Sequence, residues 1–159
     1  MNKKAYKNGI TMLVLIVIIM VALILTSTVI VSYSSFKTNA KKRAFANELI
    51  TISRQIEQYK LMNSSYPLVL GEEGEVNKQD ISQELLNEIN DDYKLYKIQI
   101  EKLDIENLAR GKGDKDSLDF YAYCQENNTV YYIQGEKIGG ITYYYYNQQL
   151  YDLMKGKKE

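Results

Sequence analysis

Gly9-Ile10-Thr11-Met12-Leu13-Val14-Leu15-Ile16 is the stretch whose reading decides the fold, because it opens an uncharged, apolar run of 22 residues, 10–31. Fifteen of the 22 are Leu, Ile or Val. At a few tenths of a kcal/mol each, they favour insertion into a bilayer by roughly 6 kcal/mol. At helical rise the run is about 33 Å long, enough to cross a hydrocarbon core. A cleaved secretory signal would carry a shorter core, about 7–15 residues, and a small-residue cleavage site. This run instead drifts into Thr26-Ser27-Thr28 with no Ala-x-Ala-like site. A plain signal-anchor helix is the stronger alternative. Lys3, Lys4 and Lys7 precede the run and Lys37, Lys41, Lys42 and Arg43 follow it, so flanking charge leaves orientation nearly balanced.

The junction has a recognisable pattern: a basic leader ending in Gly9, then Ile10, Thr11 and a long apolar helix. It resembles the start of a type IV prepilin or a type II secretion pseudopilin. In that family a membrane peptidase cuts after the glycine and methylates the new amino terminus. The resemblance therefore implies a leader at 1–9, cleavage after Gly9, and a mature chain starting at Ile10. It also places Ile10, Thr11, Met12, Leu13, Val14, Leu15 and Ile16 in the filament or membrane core. A second stretch, Ile56-Glu57-Gln58-Tyr59-Lys60-Leu61-Met62-Asn63-Ser64-Ser65-Tyr66-Pro67, resembles the segment where pseudopilins leave their long helix for the globular domain. One position departs from the pattern. Most members carry Glu at the fifth mature residue, thought to pair with a neighbour's amino terminus, and here that residue is Val14. A buried charge is costly unless paired, so Val14 removes a registration device and leaves the span fully apolar. Some minor, tip-located pseudopilins also lack this Glu, which points toward a minor subunit.

Working outward, helical spacing persists beyond Ser32 as polarity rises. Phe45, Leu49, Ile52, Ile56 and Tyr59 recur at steps of three and four, with Met62 three further on, while Arg54, Glu57 and Lys60 fall off that stripe. The pattern predicts one helix from about Ile10 to Met62, apolar all round in its first half and on one face in its second. A coiled-coil stalk would need a longer repeat. The stripe is expected to pack against the globular segment. Asn63-Ser64-Ser65 ends the helix and Pro67 prevents its return.

A loop is expected over residues 66–77, then a short helix capped by Asp80 with Gln83, its inner face made of Ile81, Leu85 and Ile89. The remainder reads as antiparallel sheet. Tyr96, Ile98 and Ile100 alternate with Lys97, Gln99 and Glu101. After a polar insert at 110–117, segments 118–124 and 129–134 flank Gln125-Glu126-Asn127-Asn128 as a hairpin. Gly139-Gly140 then turns into residues 141–146, whose four successive tyrosines should place two rings on each face. The fold class predicted is thus α+β and pilin-like, a long helix packed on a small antiparallel sheet. Its expected divisions are a leader at 1–9, a filament-core helix at 10–31, an amphipathic continuation at 32–65, a globular domain at 66–154 and a basic tail at 155–159.

Composition narrows the chemistry. The chain of 159 residues has 20 basic and 20 acidic side chains, but seven of the basic ones and none of the acidic ones precede residue 44. Residues 44–159 therefore carry 13 basic and 20 acidic groups, a net charge of −7. That disfavours sequence-independent nucleic-acid binding and fits a surface that needs solubility, or a basic partner. Cys124 is the single cysteine, so no intramolecular disulfide can form, and it reads as a small buried residue. No histidine, nucleophile–base pair or phosphate-cradling loop is present, which argues against an enzyme and against a cofactor. Asp114, Asp116 and Asp119 are a weak candidate for calcium, as in some pseudopilins, but the EF-hand spacing fails and Lys112 and Lys115 interleave. The 15 tyrosines could form a binding face; more often such rings fill a core.

These readings predict a structural subunit of a type IV pilus-like or pseudopilus filament. The resemblance implies a single pass through the cytoplasmic membrane with the C-terminal domain outside, and later a place at the cell surface. It also implies partners: other pilin subunits, the prepilin peptidase, an assembly platform with its motor ATPase, and membrane lipid. The alternative is an uncleaved, membrane-anchored extracytoplasmic binding or adhesion module.

Overall fold

The computed structural model describes residues 3–71, 73–90, 92–113 and 117–156, with the side chains of residues 3–11 and 25–32 outside that description. The fold is α+β, with helices and a four-stranded antiparallel sheet. Helix α1 runs Lys3–Asn63, one residue past the expected end. It terminates where Ser64 turns left-handed at φ 53° and donates its N–H to Lys60 O. The chain forms two compact units, Met1–Asn39 and Ala40–Glu159. In the first, residues 12–24 are thirteen consecutive apolar residues, and all of them are exposed. Among the described residues, no helix is long and apolar enough to cross a membrane. Residues 10, 11 and 25–31 of the run expected to do so lie outside the described side chains.

The second unit holds the core. Strands β1 (Leu95–Lys97), β2 (Tyr121–Cys124), β3 (Thr129–Ile138) and β4 (Ile141–Tyr145) lie side by side in chain order, all antiparallel. Alternation sends Tyr121 and Tyr123 to one face, where they meet Phe45, Leu49, Ile52 and Ile56 of α1. Ala122 and Cys124 face the other way, onto Ile81, Leu85 and Ile89. The middle of the sheet is therefore covered on both faces, and Tyr121 through Cys124 are all buried. The predicted stripe on α1 does what its spacing implies: Phe45, Leu49, Ile52 and Ile56 are buried and Tyr59 is half-buried against the same cluster.

Several local expectations are corrected. The short helix α2 (Gln83–Leu86) is capped by the Ser82 hydroxyl, which accepts from Leu85 N, and not by Asp80. Asp80 instead closes a single 3₁₀ turn, Lys78–Asp80, capped by Asn77. Ile81, Leu85 and Ile89 are buried in one cluster as expected, although the helix is shorter than their spacing implied and only Leu85 lies on it. The expected strand through Tyr96, Ile98 and Ile100 is shorter: β1 stops at Lys97, Ile98 forms a bridge to Leu68, and Ile100 opens a 3₁₀ turn. Pro67, Val69, Gly74 and Val76 cover the outer edge of β1 through Gln99 N–Pro67 O, Val69 N–Lys97 O, Lys97 N–Gly74 O and Val76 N–Leu95 O.

The second hairpin closes on Gly139 and Gly140, both at positive φ (63° and 88°), as a two-residue turn matched to strand twist requires. Its register slips between Tyr131 and Glu136. Gly135 sits in that bulge at φ 73°, and a Cβ there would lie 2.6 Å from the Tyr144 ring. The bulge breaks simple alternation in the tyrosine run. Tyr143 and Tyr146 face α1, whereas Tyr144 and Tyr145 face α2, so two rings do occupy each face but in a different pairing. Helix α3 (Gln148–Met154) was not anticipated. Asn147 caps it, Leu150 is fully buried, and Arg43 donates to Leu153 O at its C-terminal end. Of the expected tail, Lys155 is the C-cap of α3, and residues 157–159 lie outside the described residues.

Candidate functional site

The residues singled out for processing sit at the start of α1. Gly9 and Ile10 lie within its helical range, but their side chains, and that of Thr11, lie outside the described set. Met12, Leu13, Val14, Leu15 and Ile16 are described, and they are 45–67% exposed. Val14 itself is 49% exposed, so an apolar side chain stands in the open where the resembled family places a carboxylate. Within 12–24 the exposed side chains point in every direction around the helix, since thirteen residues cover more than three turns. Such a surface is unfavourable in water and calls for an apolar partner.

In the second unit the structure assembles a polar centre that sequence reasoning missed. Arg110 opens the insert expected as a solvated loop, yet its guanidinium bridges two carboxylates. Its Nη1 donates to Glu48 Oε2 on α1, and its Nε donates to Glu136 Oε2 on β3 at 2.8 Å. Glu48 Oε1 also accepts from the backbone N–H groups of Ala109 and Arg110 at 2.9 and 3.2 Å. The side chains of Arg110, Glu48 and Glu136 are only 15%, 8% and 24% exposed. The guanidinium lies over the Phe45 ring, 5.1 Å from its centroid. The hydrogen bond to Glu136 raises the Arg110 pKa further, and the same bond holds the Glu136 carboxyl below its ordinary value. The signal available in sequence was one: a lone arginine heading a segment otherwise marked by Gly, Asp and Lys.

Asp119, a calcium candidate, has another role. Its Oδ1 accepts from Gly111 N at 2.6 Å and from the Tyr132 hydroxyl at 2.8 Å, and its Oδ2 accepts from Lys112 N at 3.3 Å. Burial pushes its carboxyl upward, but the Gly111 amide and the Tyr132 hydroxyl outweigh it, and the pKa is lowered. Asp119 thus ties the insert to β3. Asp114 and Asp116 lie outside the described residues, and among the described residues no three metal-ligating side chains converge.

Six of the tyrosines fill the core. Tyr121, Tyr123, Tyr131, Tyr132, Tyr143 and Tyr144 are buried, while Tyr33 and Tyr151 are exposed. Among the described residues, no group meets the Tyr121 or Tyr143 hydroxyl with hydrogen-bond geometry. Burial, then the charge of Glu48, pushes the Tyr121 hydroxyl far above its ordinary value. Cys124 is fully buried, and its Sγ donates to Glu126 Oε2 at 3.1 Å. Burial raises its thiol pKa, so it is poorly set up to act as a nucleophile.

These groups set the pH range of the fold. Asp119 and Glu136 have depressed folded-state pKa values, so their contribution is complete above the unfolded carboxylate range, near 4, and is lost as pH falls through the folded values. Tyr123 and Tyr131 are pushed up to about 12, chiefly by burial. Their contribution is complete below the unfolded tyrosine value of about 10 and is lost as pH rises toward the folded values. The melting temperature is expected to stay level between about pH 5 and 9 and to fall outside that window. A melt series with tyrosinate absorbance checks it; a maximum shifted well below pH 5 would contradict the assignments.

Compared with known proteins, the chain matches no family model, no curated protein and no solved structure.

Proposed function

We propose that this chain is a subunit of a pilus-like or pseudopilus filament, held by its N-terminal helix and presenting residues 40–159 on the outside. One observation carries the reading: thirteen consecutive apolar residues, 12–24, lie exposed on a helix whose later turns are packed into a globular core. Lipid would cover that surface before assembly and neighbouring helices afterwards, so subunits exchange without showing it to water. The sequence pattern around Gly9 supports processing by a prepilin peptidase, and Val14 supports a minor subunit over a bulk one. The sheet and α1 stripe support a stable domain that remains folded when the first unit changes its surroundings. An enzymatic role finds no support in the residues present. Secretion, adhesion, motility and DNA uptake are all compatible with such a subunit.

The test is the intact mass of the native protein, with its amino-terminal peptide sequenced. A chain beginning at N-methylated Ile10 is expected. Replacing Gly9 with a bulky residue should then leave residues 1–9 attached. A wild-type chain that keeps residues 1–9 in cells with an active prepilin peptidase would end the filament reading and favour a simple membrane anchor.

A further inference from the structure

One end of the second unit gathers cations on an otherwise acidic body. Along α1, the Lys42 ammonium sits 5.6 Å from the Tyr143 ring centroid, Phe45 meets Tyr132, and Leu49 shares a hollow with Val130 and Tyr146. The β3–β4 hairpin therefore points its Gly139-Gly140 turn toward the residue-40 end of the unit. Arg43 brings the C-terminal end of α3 there too, through its bond to Leu153 O. Lys41, Arg43 and Lys155 are exposed, and Lys42 is half-buried. Two carboxylates of these elements are engaged: Glu136 is bound by Arg110, and Asp152 accepts from Gln148. Beyond the four cations, residues 40–159 carry 12 basic and 20 acidic groups. The same end exposes Ile141, at 48%, and Tyr151, at 39%, with the Lys155 ammonium 5.6 Å from the Tyr151 ring centroid.

We propose that this end of the unit docks on the phosphate headgroups of an anionic membrane. The proposal rests on the reading that residues 10–31 lie in lipid, whether or not the chain joins a filament. From residue 31 to Ala40 the chain is continuous helix, about 14 Å of it. Headgroups extend roughly 6 Å beyond the hydrocarbon, so the remaining tether is about one Debye length at physiological salt. Attraction over that distance survives screening. Charge separation then selects the orientation, because an anionic surface draws in the four cations and repels the acidic remainder. Tyr151 and Ile141 suit the same interface, where an amphipathic ring and an aliphatic side chain enter the headgroup layer beside the lysines. A second copy of this chain is the poorer occupant. Its acidic surface would complement the cations, but it offers no apolar layer to receive Ile141 and it is not held at the tether.

The experiment places the isotope-labelled full chain in lipid nanodiscs, of phosphatidylcholine alone or of phosphatidylcholine with phosphatidylglycerol, each carrying a trace of a gadolinium-chelating headgroup. The amide resonances of Arg43, Ile141 and Lys155 are expected to broaden more in the anionic discs and to recover at high salt. Those of Asn127 and Asn128, in the hairpin at the other end of β3, should stay sharp in both. Lys155→Gln should weaken the docked state about fivefold. Arg54→Gln, an exposed change farther along α1, should leave it unchanged. If Lys155→Gln disturbs the fold, the salt dependence of the wild-type chain decides alone. Equal broadening in the two lipids, or no response to salt, would overturn the proposal. So would concentration-dependent shifts of the same amides in phosphatidylcholine discs, which would assign this end to a second copy. A chain that enters neither disc would overturn the lipid reading of residues 10–31 itself, a failure visible before any docking is measured.

Discussion

Arg110→Ala is expected to destabilise the 40–159 unit by about 3–5 kcal/mol, the usual cost of leaving a buried charge without its partner. Glu48 is only 8% exposed, and the change strips it of the guanidinium while it still sits at the centre of the clasp. Glu136, at 24%, is better hydrated and adds less. Chemical denaturation of the full chain in detergent, followed by near-UV tyrosine dichroism, measures the loss. Adding Glu48→Gln to Arg110→Ala should recover at least half of it. The amide oxygen can still accept from Ala109 and Arg110 N–H, and the orphaned charge is gone. A loss under about 1 kcal/mol would mean the clasp is a solvated pair of the ordinary surface kind.

Phe45→Ala should cost a similar amount, about 3–5 kcal/mol, by a different mechanism. The ring is fully buried, packs edge-on to Tyr132 with centroids 6.1 Å apart, and supports the Arg110 guanidinium. Truncation leaves a cavity between α1 and the sheet that rigid neighbours cannot close. Because Phe45 and Arg110 touch, their effects should not add, and the double variant should fall short of the sum of the singles. Phe36→Ala is the control: that ring is 73% exposed, and its loss should move the denaturation midpoint of the second unit very little. Equal effects at 45 and 36 would show that the α1 stripe does not anchor the core.

Much of the fold was legible because it rests on short-range pattern. The steps of three and four from Phe45 to Tyr59 fix one helix face. Gln125-Glu126-Asn127-Asn128 and Gly139-Gly140 fix two hairpins, and both formed where expected. Local competition explains the misses at boundaries. Ser82 and Asp80 are both good caps two residues apart, and local pattern does not choose between them; Ser82 caps α2. Helix α3 was missed because its seven residues offer one buried side chain, Leu150, and too short a pattern to register. The candidate site divided the same way. The apolar run and the Gly9 junction are visible in the order of residues alone. The Arg110 clasp is not, because its partners lie 62 and 26 residues away.

By itself the sequence determined an apolar helix, its amphipathic continuation, a tyrosine-rich antiparallel sheet and an acidic domain. Each follows from composition or from periods of two and 3.6, which neighbouring residues carry among themselves. Only the tertiary structure decided which carboxylates hold Arg110, that α2 covers the second face of the sheet, and that the bulge at Gly135 shifts the phase of the tyrosines. It also decided that Pro67, Val69, Gly74 and Val76 cover the outer edge of β1. These outcomes depend on which distant groups meet when the chain closes, and a local pattern leaves that choice undetermined.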